Sequence, residues 1–342
     1  MLPRLSTAAV LTASMLCAAG AQAGPLTASE VLTQFNTVVL GSATSSSHTD
    51  GRTYVGGSLS GGDYVQHVSD TAKSNYAGVT VRGAVDNVKV NGLGLVAATV
   101  SNSIVNSGTA VASTSSNTKF NNAAYVDSSS GTTFNGGKLD KPSEQMQTNI
   151  AAASSTDMGA VLGGLSDSLK TLKSTGSSVK FSGNLATFNA VANASGLAVF
   201  DLTAIDTDLF KMGEFRFNLN GATSVILNTD VKTANISANF LDGGAQAFGK
   251  MLLWNFYDAT SLTINNQWGG SLLATDAAFT NNQNMEGGVY VNSLTQRGEI
   301  HLQSFSGKLP GKVPEPGSVA MMLTGLALMG AISRRRRAAP KN

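Results

Sequence analysis

Short apolar alternations ended by Gly or Asn recur along most of this chain. They are clearest in 53–68, 78–90, 92–108 and 119–137, for example Val79-Thr80-Val81 and Val88-Lys89-Val90. Alternation places every second side chain on one face of a strand, and Gly and Asn accept the positive φ that tight corners need. Strand pieces this short, at near-regular spacing, predict the coils of a β-solenoid or else a sandwich, although no strict repeat fixes a period. After Gly176 the strands return with richer apolar content, as in Val225-Ile226-Leu227 and Leu252-Leu253-Trp254, so the better-packed core is expected there.

Two stretches break the pattern. Leu26, Val31, Leu32 and Phe35 share one helical face, with Thr27 or Ser29 as cap, so a short helix running into an extended stretch is expected over 28–40. Beyond Pro142, Met146, Ile150 and Ala153, then Val161, Leu162, Leu165, Leu169 and Leu172, fall at helical spacing. Gly159, Gly163 and Gly164 weaken an unbroken helix, so two pieces packed along the β structure are expected. This insertion favours two halves of one domain over two domains.

The ends differ from the body. Residues 1–23 carry Arg4, an apolar run, and Ala21-Gln22-Ala23 before Gly24, the form of a secretory signal peptide cleaved at Gly24. The one cysteine, Cys17, lies inside it behind Leu16, which is no lipoprotein signal, so the mature chain has no thiol and no disulfide. At the other end, 317–333 bear no charge and would span roughly 25 Å as a helix. Arg334, Arg335, Arg336 and Arg337 follow, a cluster held on the cytoplasmic side, which places the domain on the other side.

Charge then changes sign. Without Arg4, Arg334–Arg337 and Lys341, 17 of the 23 basic residues remain, against 20 of the 21 acidic ones without Glu315, a balance of about −3. No basic patch remains for nucleic acid. Charged residues are 13% of the chain.

Chemistry is sparse. His48, His67 and His301 are the three histidines. Asp50 and Ser58 stand near His48, but there is no G-x-S-x-G elbow and no H-E-x-x-H zinc motif. His301, in an alternating strand, reads as structural or surface. Asp201, Asp206 and Asp208 could offer oxygens to calcium, but their spacing fits no calcium loop and turns explain them better. Asp50-Gly51-Arg52 reads as a turn with the arginine free to pair internally. Trp254, Phe256 and Trp268 read as core fillers. No catalytic, metal or cofactor residue is assigned.

Two resemblances add to this. Val313-Pro314-Glu315-Pro316, the apolar stretch and the terminal arginines resemble a PEP-CTERM sorting signal. The resemblance implies processing by an exosortase around Pro314, Glu315 and Pro316, transient residence in the inner membrane, then the cell surface or medium. Asp50-Gly51-Arg52, Val55-Gly56-Gly57, Leu253-Trp254-Asn255-Phe256, Trp268–Ala274, Glu286-Gly287-Gly288, Glu299-Ile300-His301 and Phe305-Ser306-Gly307 resemble, in that order, the choice-of-anchor A domain. Thr275 departs from that family, which tends to have proline there.

The expectation is therefore a mainly β chain. A β-solenoid, right-handed β-helix-like and flanked by a helix, fills 24–312, and the sorting signal fills 313–342. The function expected is that of a non-enzymatic adhesin binding exopolysaccharide or extracellular matrix through an extended β face. The alternatives are a polysaccharide-acting hydrolase or lyase and a purely structural envelope protein.

Overall fold

The computed structural model describes residues 24–309. The expected signal segment with Ala21 and Ala23, the motif Pro314-Glu315-Pro316, the apolar span 317–333 and Arg334–Arg337 lie outside them. Among the described residues no helix is long and apolar enough to cross a membrane.

The chain is mainly β, and its strands stack in parallel into a β-helix-like body with three faces. Most coils contribute a strand to a face that helices cover, a strand to an open face and a short strand to a third face; in the coil of Leu197–Asp201 a short helix, Asp206–Leu209, takes the place of the open-face strand. In the first coil the three strands are Thr37–Val39, Ala43–Ser45 and His48–Thr49. In the last they are the two halves of Val289–Gln296, then Ile300–His301.

Spatial order differs from chain order. Thr37–Val39 pairs on one side with Thr53–Val55, the next coil in sequence. On its other side it pairs with Val289–Gln296, the last coil. The N-terminal coils wind outward from this seam to Ala124–Ser130. The chain then crosses back and winds from Leu197–Asp201 at the opposite end to meet its own start. All three faces pair across the seam: Val38 opposite Tyr290, Thr44 opposite Thr295 and Thr49 opposite Ile300.

Three helices lie along the covered face: α1 (Ala28–Gln34), α2 (Glu144–Ala153) and α3 (Met158–Lys170). Thr27 caps α1 and Glu30 reaches back to the Thr27 N–H at 2.8 Å, a reciprocal capping pair. Outward-pointing Val38, Tyr54, Leu253, Leu273 and Tyr290 pack against Val31 and Leu32 of α1, Phe35 just after it, and Leu162, Leu165 and Leu169 of α3. Strands beneath these helices are buried on both sides, which explains their unbroken apolar runs. Asn255 donates to the Ser166 carbonyl at 3.0 Å and Asn228 to the Leu169 carbonyl at 2.7 Å, so α3 is pinned as well as packed.

The helical stretch does divide in two, but not where the glycines suggested. The break falls at Ser154–Asp157, where the Asp157 carboxylate accepts the Ala160 N–H at 2.9 Å and starts α3. Gly159, Gly163 and Gly164 all lie within α3, because packing of its leucines outweighs weak propensity. Ile150 is exposed rather than core.

Inside the coils, Val39, Val55, Val81 and Val85 form the narrow N-terminal core. The C-terminal half is filled by aromatic rings: Phe188 stacks on Phe217 at 4.3 Å, and Trp254 meets Trp268 at 4.7 Å. Trp254 also donates to the Gly269 carbonyl at 3.0 Å.

Two substitutions test this packing by denaturant unfolding. Trp254→Ala should cost about 3–5 kcal/mol, since the ring is fully buried. Gly163→Ala should gain about 0.5–1 kcal/mol, because open space surrounds its Cβ position in the helix. A loss at Gly163 would contradict the placement of α3.

Candidate functional site

The open face carries a ladder of small polar side chains. From the seam outward one way run Thr44, Ser60, Asp86, Ser101, Ser116 and Ser130, each opposite the next in register. The other way run Thr295, Thr280, Thr263 and Asn235. At ~4.8 Å per parallel strand, the ladder extends roughly 40 Å. A second row, including Thr99, Thr114 and Ser128 on one side and Ser293, Ser261 and Thr233 on the other, lies two residues earlier on the same strands. Alternation makes this face: Leu59, Val85, Val100 and Leu262 point inward while the hydroxyls point out. Hydrogen bonds from Ser101 and Asn102 hold the Asp86 carboxyl below its ordinary range.

Where the open face turns into the third face, a groove of about 650 Å³ is lined by Ser45, Ser47, His48, Asp63, Lys89 and Asn102, among others. Its polar groups include the Lys89–Asp63 ion pair at 3.2 Å.

On the third face the seam gathers titratable groups from both chain ends. Glu299 Oε2 lies 2.7 Å from His301 Nε2 and 3.6 Å from His48 Nε2. His301 Nδ1 lies 2.8 Å from Glu286 Oε1. Glu286 is 1% exposed and also accepts from Gln267 and Gln303 at 2.6 and 2.7 Å. Burial alone would raise the Glu286 carboxyl, but its bonds to His301 and Gln267 bring it below the usual carboxylate range. The hydrogen bond to Glu286 raises His301 to about 9, against burial and helped by Glu299. Ligand atoms of His48, Glu299 and His301 lie within 4.8 Å of one another, the arrangement among the described residues that could hold a metal ion.

The turn Asp50-Gly51-Arg52 builds this seam. Asp50 Oδ2 accepts the Leu302 N–H at 3.0 Å. Gly51 donates to Asn36 Oδ1 at 3.0 Å, and a Cβ there would lie 2.7 Å from Leu302 and 2.9 Å from Asn36. Arg52 is buried and pairs internally, with four carbonyls rather than a carboxylate: Gln34, Ala72, Tyr76 and Ala77. Burial lowers its guanidinium to about 10.

Several candidates stay apart. Ser58 lies on the open face, its Oγ taken by the Ala84 N–H, while Asp50 sits at the seam on the third face. Asp201 accepts from Thr203, Asp206 from Thr229, and Asp208 pairs with Lys211. Trp254, Phe256 and Trp268 are buried in the core. His48 and His301 meet in space, and His67 lies 3.7 Å from Asp50. Sequence spacing could not show this, because the residues come from opposite ends of the chain.

Shielded on one side, open and lined largely by hydroxyls on another, this is a mainly β, solenoid-like body of parallel sheets. The chain belongs to the family described as the Putative Ice-binding-like adhesive domain, whose model matches residues 28–302. The PEP-CTERM protein-sorting motif matches residues 312–337. Neither the curated proteins nor the solved structures contain a match. Adhesive domain and sorting motif together make this an exported, adhesin-like surface protein whose tail marks it for exosortase processing.

Because folding raises the His301 pKa from 6.5 to about 9, its stabilisation is complete below about pH 6.5 and lost as pH rises through about 9. In chelator-treated buffer the unfolding temperature should therefore fall across this window, and His301→Gln should flatten the slope. An unchanged slope in His301→Gln would contradict this ion-pair geometry.

Proposed function

We propose that this is a choice-of-anchor A adhesin that holds exopolysaccharide or extracellular matrix on its open face. Two in-register rows of small side chains carry the reading: mostly hydroxyls, with Asp86 and Asn235 in the first row and Ala84 and Ala278 interrupting the second. Many equivalent weak donors and acceptors on a rigid surface suit a repetitive polymer, whose affinity comes from multivalent contact. The groove beside the ladder adds a polar recess of the size that takes a few sugar rings. The coils are taken to wind right-handed, the sense of nearly all parallel crossovers.

A glycoside hydrolase ordinarily needs two carboxylates facing a groove. Of the groove's lining residues Asp63 is the one carboxylate, and Lys89 pairs with it. This favours the non-enzymatic reading. A purely structural envelope role differs only in lacking a ligand.

At the ends we infer signal cleavage before Gly24 and exosortase recognition of Pro314-Glu315-Pro316, with Arg334–Arg337 holding the apolar span 317–333 in the inner membrane until processing.

Residues 24–313 should be retained on exopolysaccharide, collagen or cells, and no retention on any of them would sink the adhesin reading. Thr44→Arg with Thr295→Arg should weaken retention on the order of tenfold, about 1.4 kcal/mol, whereas Ala151→Arg on the helix-covered side should not. For the ends, intact masses of protein from envelope and medium should show both termini removed. An intact C-terminus in the inner membrane would instead mean a permanent anchor.

A further inference from the structure

We propose that the seam cluster is a divalent-metal site. His48, Glu299 and His301 are its ligands, zinc is its first candidate, and the metal staples the last coil of the solenoid to the first. This is independent of what the open face binds.

Geometry comes first. Three ligand atoms, Nε2 of His48, Nε2 of His301 and Oε2 of Glu299, already converge. Their side chains are 32, 24 and 38% exposed, so an ion can reach them from solvent. Small rotations of three partly exposed side chains would bring these atoms to the 2.0–2.2 Å that zinc takes from nitrogen and oxygen.

The support behind the ligands is the second observation. A metal-bound histidine usually gives its other ring N–H to a carboxylate, which fixes the tautomer and aims the free nitrogen. Here Glu286 does so for His301 at 2.8 Å, from a position almost wholly buried. Gln267 and Gln303 hold Glu286 in turn. Asn284 fixes Glu299, donating to Oε2 at 3.3 Å and accepting the Glu299 N–H at 3.1 Å. A surface ion pair does not need such bracing.

Donor type narrows the ion. Two imidazoles and one carboxylate suit zinc and its first-row neighbours, whereas calcium prefers six to eight oxygens. Three protein ligands leave the fourth position of a tetrahedron to water. The incoming ion takes the place of the Nε2 proton that His301 shares with Glu299, and that proton leaves to solvent.

Location gives the consequence. His48 lies on the third-face strand that closes the chain's first coil, and Glu299 and His301 lie at the corresponding place in its last, about 250 residues apart in sequence. One ion would tie the two halves where they meet, and binding only the closed seam would stabilise the fold.

The test is calorimetric titration of ZnCl2 into the full chain, purified in detergent and stripped with chelator, with thermal unfolding alongside. One zinc per chain and an unfolding temperature that rises with zinc concentration are expected. His48→Gln and Glu299→Gln should abolish both, and His67→Gln should change neither. Glu286→Gln, which keeps all three ligands, should weaken binding about 10–100-fold. Cobalt in the wild type should give the visible spectrum of a four-coordinate nitrogen–oxygen site, a readout that does not depend on any variant folding. No zinc binding, binding that survives His48→Gln, calcium competing on equal terms, or a six-coordinate aquo-cobalt spectrum would overturn the proposal.

Discussion

Parallel pairing between the first and last coils is the constraint on which everything else rests. Strands Thr37–Val39 and Val289–Gln296 exchange backbone hydrogen bonds across most of the chain's length. If they came apart, each half would expose a full cross-section of unpaired edge and apolar core, a template for pairing with other chains. Side chains as well as backbone pairing fasten the seam. Asn36 reaches the His301 carbonyl, Tyr290 the carbonyls of Leu32 and Phe35, Gln296 the His48 carbonyl, and Asp50 the Leu302 N–H. Closing a loop this long is entropically costly and slow, and the pairing repays that cost only once both halves are formed.

From that seam the division of labour among the faces follows. The helical segment must carry the chain back from one end of the solenoid to the other, and it does so along one face. That face therefore becomes buried on both sides and loses any use as a surface. The open face, spared, keeps inward aliphatics and outward hydroxyls in register. Parallel stacking without offset turns a few small residues per coil into a ladder. The shielded face thus stabilises the rigid surface that the open face presents.

Sequence and structure agree most closely where information is local. Alternation and corner residues gave short strands, Thr27 and Glu30 gave the start of α1, and Val161 to Leu172 gave the buried stripe of α3. They part where neighbours in space are distant in sequence. Glycines within α3 read as breakers because propensity is a local property, whereas burial of Leu162, Leu165 and Leu169 is not. Asp50-Gly51-Arg52 read as a turn and is one, but its burial and its four carbonyl partners come from coils and loops the turn does not adjoin in sequence. His48 and His301 gave no motif at all, because a site assembled across the seam has no spacing to recognise.

By itself, the sequence determined which residues face in and which face out along the open-face strands, where apolar and polar residues alternate, but not along the strands that helices cover, which are buried on both sides. It also determined the sorting tail, which is a linear signal. Only the tertiary structure decided that the first coil lies in the middle of the solenoid, that one face is sealed by helices, and that His48, Glu299 and His301 meet. Those outcomes depend on which strand edges pair. Edge pairing is set by the burial and backbone hydrogen bonding of the whole coil stack, to which every coil contributes and which no single segment encodes.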